Sequence, residues 1–207
     1  MTDVPSVGMF DSFLADRSQL RIELRNGGDA MIQAEVGGAA RVDPGISVQK
    51  PGFMIRDFTL VSDHGENTRL SSFRGRSNLV VVFPGHSDAM RFFLEDAMRH
   101  VHEFSEQDAT VVAVFPYGPE EQGIPTANSS PILVLNDKTH AVYRLSGATD
   151  ENGQPVPLVY LTDRFGEIVS TYVAPVHLMP PSVEEILSTL EFVNHQCPEC
   201  EPPEWPR

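Results

Sequence analysis

Apolar positions along this chain fall into two rhythms, and from residue 51 onward one gives way to the other repeatedly. Leu79-Val80-Val81-Val82-Phe83 is an unbroken apolar, β-branched run, which predicts a strand buried on both faces. Pro84-Gly85-His86 interrupts it. Met90, Phe93, Leu94, Ala97, Val101 and Phe104 then recur at helical spacing, with Ser87 or Asp88 placed to cap, so a single helix is expected over 87–104. Thr110 to Phe115 reads as a second buried strand, 116–130 as a loop, and Ile132 to Leu135 as a third, short strand. Asn136-Asp137 is placed to cap a short helix running through Tyr143. Leu158 to Leu161 and Glu167 to Val173 flank the turn Asp163-Arg164-Phe165-Gly166, a hairpin signal. Ser182 opens a last helix, with Glu184 and Glu185 in its first turn and Val183, Ile186, Leu187, Leu190 and Val193 facing inward.

Upstream, Phe58 to Val61 is strand-like, Asp63 to Glu66 a turn, and Leu70 to Phe73 leads through Arg74-Gly75-Arg76 into the Leu79 strand. Alternating strands and helices argue for a mixed α/β sheet covered on both faces. Residues 1–50 follow no such grammar. Met9, Phe10, Phe13 and Leu14 suit one helix face, and Leu20, Ile22 and Leu24 alternate with Arg21, Glu23 and Arg25. This stretch is expected to be an arm, either packed on the domain or left as a partly ordered leader.

Composition narrows the partners. The net charge is −14, which argues against nucleic acid or an anionic membrane surface. No apolar run is long enough to span a bilayer, and the acidic start does not resemble a signal peptide, so a cytoplasmic location is expected. At 207 residues, one domain with extensions is the expectation.

A buried strand, a tight turn and a capped helix place a helix N-terminus at a sheet edge. Free N–H groups and the macrodipole there stabilise an anion, including a thiolate. This order of elements resembles the thioredoxin fold, and more narrowly the redoxin family that includes the alkyl hydroperoxide reductase-type peroxiredoxins. Gly52 to Leu60 with Leu70-Ser71-Ser72-Phe73-Arg74-Gly75 is similar to that family's opening strand and turn. Leu79 to Pro84 is similar to its strand entering the active site. Leu135-Asn136-Asp137 with Tyr143 to Gly147 resembles a later segment, and Pro157 to Ile168 its hairpin. The resemblance covers roughly residues 51–175. It implies a thioredoxin-like three-layer sandwich over 51–195: a central mixed β-sheet with helices on both faces, plus the N-terminal arm and a C-terminal tail over 196–207. It also implies that Pro84, His86, Ser87 and Pro157 line a substrate groove, that Val156-Pro157 is a cis peptide facing the turn, and that Arg144 lies near a pocket.

One departure governs function. The family carries its reactive cysteine in the turn after the central strand, and Pro84 to Met90 contains no thiol. Ser87 without a base does not replace it and reads better as a helix cap. The only cysteines, Cys197 and Cys200, lie in the tail as Cys-Pro-Glu-Cys. That spacing suits a reversible disulfide, half of a tetrahedral zinc or iron site with His195, or two free thiols. The pair follows a helix C-terminus and sits among Glu199, Glu201 and Glu204, all of which raise a thiol pKa. Two function classes stand. One is a thiol-dependent oxidoreductase in which Cys197 attacks and Cys200 resolves, the tail folding towards the 84–88 turn and a thiol reductant protein serving as partner. The other is a catalytically inactive redoxin scaffold for binding or assembly, its cysteines holding a metal across a homodimer.

Overall fold

The computed structural model describes residues 48–117, 132–173 and 180–195. The chain divides into two units, Met1–Ala40 and Arg41–Arg207, and every described residue lies in the second. Residues 1–47, 118–131 and the cysteine-bearing tail fall outside the described residues.

Seven strands form one mixed sheet: β1 (Thr59–Ser62), β2 (Asn67–Arg69), β3 (Asn78–Phe83), β4 (Ala109–Phe115), β5 (Leu133–Asn136), β6 (Leu158–Thr162) and β7 (Ile168–Val173). They lie in the order β2-β1-β5-β4-β3-β6-β7. The three central strands, β5, β4 and β3, run parallel, and the outer pairs are antiparallel. The apolar run of β3 is buried at every position. Its pleat sends Val80 and Val82 to one face and Leu79, Val81 and Phe83 to the other, as a central strand covered on both sides requires.

The first face carries α1 (Asp88–Arg99), α2 (Val101–Glu106) and α4 (Val183–His195), which bury Met90, Phe93, Leu94, Phe104, Ile186 and Leu190. The second carries α3 (Ala141–Ser146) and the 55–73 segment, which bury Ile55, Phe58, Leu70, Val142 and Tyr143. The result is the three-layer α/β sandwich that the pattern predicts.

Two local expectations need correction, and one strand is not announced by the pattern. The 87–104 helix is two helices, because His100 takes φ −104° and ψ 22°, and its Nδ1–H donates to the Asp96 carbonyl at 2.9 Å. That bond shares an acceptor of the helical ladder and ends α1 one turn before Phe104 is buried. The stretch after the Asp63–Glu66 turn is a strand, β2, paired with β1 from Thr59↔Arg69 to Val61↔Asn67. It is short and polar, so it carries no alternation to read. Finally, the Val156–Pro157 bond is trans, and no described peptide is cis. The Val156 N–H donates to the Ala148 carbonyl at 2.8 Å, and Pro155 bridges Thr149, so the segment enters β6 extended in the isomer that X–Pro bonds ordinarily prefer.

Two motif residues act on the scaffold. Asp57 accepts from Arg69 Nε at 2.7 Å and from the Ser71 N–H at 2.9 Å, which ties the segment before β1 to the 3-10 turn Leu70–Phe73. Burial pushes its carboxyl up, but the bonds from Arg69 and Ser71 outweigh that and hold it below the usual range. Asp163 Oδ1 accepts from the Phe165 and Glu167 N–H groups at 2.9 and 2.8 Å and shapes the β6–β7 turn.

Candidate functional site

Ligands on open α/β sheets gather beyond the carboxyl ends of the parallel strands. Three side chains meet there, one from each parallel strand. His86 follows β3, Tyr117 follows β4, and His140 follows β5. Their rings touch: His86 and Tyr117 lie 5.2 Å apart between centroids with planes 30° from parallel, and Tyr117 meets His140 edge-on at 5.2 Å. His140 continues to Tyr143 at 6.2 Å, and Tyr143 meets Phe83 at 5.1 Å in the core. His86 is exposed, while Tyr117 and His140 are half-buried. A continuous aromatic seam therefore runs from the surface at the turn to the interior.

The floor of the site is fixed. The Tyr143 phenol donates to the Val114 carbonyl at 2.8 Å and accepts from the Gly85 N–H at 3.3 Å. Burial pushes that phenol far above the ordinary tyrosine range, so it stays neutral and keeps donating. Gly85 takes φ +56°, and a Cβ there would lie 3.1 Å from the Pro157 nitrogen and from the Val156 carbonyl carbon. Only glycine meets both demands, the left-handed backbone and the close approach. The turn is thus pressed against the segment entering β6, and Pro84, His86, Ser87 and Pro157 are brought to one edge.

Ser87 serves as the N-cap of α1: its Oγ accepts from the Met90 N–H at 3.4 Å. The Ser87 N–H donates to the Pro84 carbonyl at 3.3 Å, and the Arg91 N–H to the Ser87 carbonyl at 3.1 Å. Of the amides at this turn, those of Gly85, Ser87 and Met90 are engaged, by Tyr143, Pro84 and Ser87.

Neither His140 nor Tyr117 stands out from spacing alone. The signal that finds them is topological: each lies a few residues beyond a buried strand that proves parallel to its neighbour. Among the described residues His140 is also one of two non-glycine residues at positive φ, at 54°, where it precedes α3. Asp137 prepares that entry. Its Oδ1 accepts from the Ala141 N–H at 3.1 Å and its Oδ2 from the Tyr143 N–H at 2.9 Å. Arg144 is exposed, and its guanidinium donates to the Thr139 carbonyl at 3.1 Å.

The other end of the sheet holds the root of the tail. Asn78, buried at the start of β3, donates to Asn194 Oδ1 at 2.8 Å and to the Gln107 carbonyl at 3.1 Å. Asn194 Nδ2 returns bonds to the Gln107 carbonyl and to Gln107 Oε1 at 2.9 and 3.1 Å. These bonds anchor the last turn of α4 at the amino edge of the sheet, about 20 Å along β3 from Pro84 at strand rise. Cys197 and Cys200 lie outside the described residues. The expectation that the tail folds towards the 84–88 turn falls with them outside the described residues. His195 turns its Nδ1–H back to the Glu191 carbonyl, at 2.6 Å. No group of three or more His, Cys, Asp and Glu side chains suited to a metal ion occurs among the described residues.

Solved structures share this architecture at low identity. Mycobacterium bovis AhpC matches with a TM-score of 0.61 and 15% identity, over 74% of this chain and 98% of that one. Plasmodium vivax 2-Cys peroxiredoxin, in its reduced form, matches with a TM-score of 0.60 and 15% identity, over 71% and 83%. Enterococcus faecalis AhpC matches with a TM-score of 0.57 and 19% identity, over 70% and 92%. No curated protein matches the sequence. The AhpC/TSA family model matches residues 51–171, more than half of the chain, and spans both the turn after β3 and the β6–β7 hairpin. The chain belongs to the AhpC/TSA family.

Proposed function

We propose that this redoxin-family chain acts as a binding scaffold at the carboxyl edge of its sheet, and not as a peroxidase there. The observation that carries the reading is the turn itself. It has the strand–turn–helix form that stabilises a thiolate, but it holds no sulfur, and its Gly85, Ser87 and Met90 amides bond to Tyr143, Pro84 and Ser87. What the edge offers instead is the His86–Tyr117–His140 seam, beyond the carboxyl ends of the parallel strands where α/β proteins take ligands. The test is peroxide consumption with a small dithiol as reductant. Wild type and the Cys197→Ser/Cys200→Ser double variant are both expected to match the reductant alone. Turnover that disappears in Cys197→Ser would overturn the reading.

A second reading is favoured by the Asn78–Asn194 anchor. The bond holds Asn194 at the amino edge of the sheet, and in this reading Cys197 and Cys200 form a centre of their own, either a reversible dithiol or a zinc or iron site with His195 shared between two copies of the chain. Metal analysis and thiol counting on one chelator-free preparation distinguish these forms. A masked thiol pair with about half an equivalent of metal per chain supports the shared site.

A further inference from the structure

We propose that His100 is a pH-responsive joint in the helical layer: its imidazolium ties the end of α1 to α2 and α4, and loss of one proton slackens that tie. This role is independent of whatever binds at the 84–88 turn.

The ring sits at the junction of two helices. His100 ends α1 and opens α2, with φ −104° and ψ 22°. Its Nδ1 lies 2.9 Å from the Asp96 carbonyl oxygen, which only accepts, so Nδ1 carries a proton in either charge state. The proton that comes and goes is the one on Nε2. The last carbonyls of α1 form the negative pole of that helix and favour a cation here. Carboxylates from all three helices add to that pole. Asp96 Oδ1 on α1 lies 3.7 Å from Nδ1, and Glu103 of α2 and Glu184 of α4 attract the ring as well. Arg99 opposes them, and its guanidinium holds the same Asp96 Oδ1 at 2.9 Å. The other charged groups of α1 and α2 are paired, Arg91 with Asp88 and Glu95, and His102 with Glu106. Strand β4 beneath α2 has no titratable side chain, and α4 has no lysine or arginine.

The balance favours the charged ring. The bond to the Asp96 carbonyl raises the imidazole above its ordinary 6.5, and Asp96, Glu103 and Glu184 reinforce it against the loss of hydration. A raised folded-state value means that the tie is complete below the ordinary value and is lost as pH climbs through the raised one. The far end of α2 is held by groups that do not titrate. Asn194 Nδ2 donates to the Gln107 carbonyl and to Gln107 Oε1 at 2.9 and 3.1 Å. Between the two ends, Phe104 is buried in the core. Deprotonation thus loosens the His100 end alone. The group that reports it is the Phe104 N–H, which donates to the His100 carbonyl at 3.1 Å. Helix α1 starts at the Ser87 cap beside the candidate site and is 12 residues long, so the joint lies about 18 Å along it.

The test combines histidine NMR titration with amide hydrogen exchange on the full chain. His100 is expected to titrate above 6.5, with the neutral ring protonated at Nδ1. Protection of the Phe104 amide, corrected for the intrinsic exchange rate, is expected to fall severalfold with the same midpoint, while the amides of β4 keep theirs. His100→Gln retains a donor for the Asp96 carbonyl and is expected to remove the pH dependence. Glu184→Gln is expected to lower the His100 midpoint and leave the far-ultraviolet circular dichroism unchanged. A wild-type midpoint at or below 6.5, or Phe104 protection that ignores pH, overturns the proposal. So does a pH dependence that survives His100→Gln, or a midpoint that Glu184→Gln does not move.

Discussion

Asn78 and Asn194 join the first residue of β3 to the last turn of α4 through a 2.8 Å amide–amide hydrogen bond, and this bond decides where the tail begins. The expected consequence is chemical. In a Ser87→Cys/Cys200→Ser variant, the new thiol at the turn and Cys197 of the same chain are expected not to form a disulfide, because the bond holds Asn194 beside Asn78, about 20 Å of strand rise from Pro84, and bridged Cα atoms must approach within about 7 Å. Mild oxidation at high dilution, followed by thiol titration, should return both thiols. Loss of both in a monomeric species would mean that the tail reaches the turn.

Tyr143 ties the turn to β4, and its hydroxyl is the group to remove. Tyr143→Phe deletes the bonds to Val114 and Gly85 at a buried site and is expected to cost about 1–3 kcal/mol, read as a lower urea midpoint at unchanged slope. An unchanged midpoint would mean that the phenol is not bonded in solution.

Gly85→Ala should cost more than Gly75→Ala. Both residues have positive φ, +56° and +72°, worth about 1–2 kcal/mol each for a side chain. A Cβ at Gly75 meets nothing within 4 Å, whereas at Gly85 it meets backbone at 3.1 Å, which side-chain motion cannot relieve. Paired denaturation curves give the comparison, and equal costs would refute the close approach.

The alkaline limit of the fold should follow its buried phenols. Burial raises the Tyr160 phenol to about 12 and pushes Tyr143 higher still, against 10.0 for an ordinary tyrosine. Groups with a raised folded-state pKa contribute stability that is complete below the unfolded value and is lost as pH climbs through the folded one. Stability should therefore decline above about pH 10. Of the four tyrosines, Tyr143 and Tyr160 should ionise only as the chain unfolds. Tyrosinate absorbance followed alongside circular dichroism tests this. Smooth titration of all four before any unfolding would count against the burial.

Asp57 sets the opposite limit. Its carboxyl is held low by Arg69 and Ser71, so its contribution is present above the ordinary value of 3.8 and fades as pH falls through the lowered one. Asp57→Asn should narrow the difference in melting temperature between neutral and acid pH. A variant that loses stability in acid as steeply as wild type would remove Asp57 from the account.

Much of the fold was legible because the burial it demands is written as periodicity. The continuous run of β3, the helical spacing of Met90, Phe93, Leu94 and Ala97, and the hairpin around Asp163 each correspond to an observed element. What failed was local or topological. Strand β2 is polar and three residues long, and the break at His100 depends on one ring bonding one carbonyl. The candidate site was half legible. The missing thiol and the cap role of Ser87 follow from residue identity and position. Tyr117 and His140 do not, since only the parallel pairing of β3, β4 and β5 brings them beside His86.

The pinning of Gly85 between Tyr143 and Pro157 bears on the dynamics of recognition. A loop that must order itself on contact loses roughly 0.5–1.5 kcal/mol for each side chain that is immobilised. The 84–87 turn has already met that cost during folding, through a phenol below it and a proline backbone beside it. A molecule arriving at this edge therefore meets a wall and not a hinge. Changes to its own shape should be felt in how fast it leaves, with little effect on how fast it arrives.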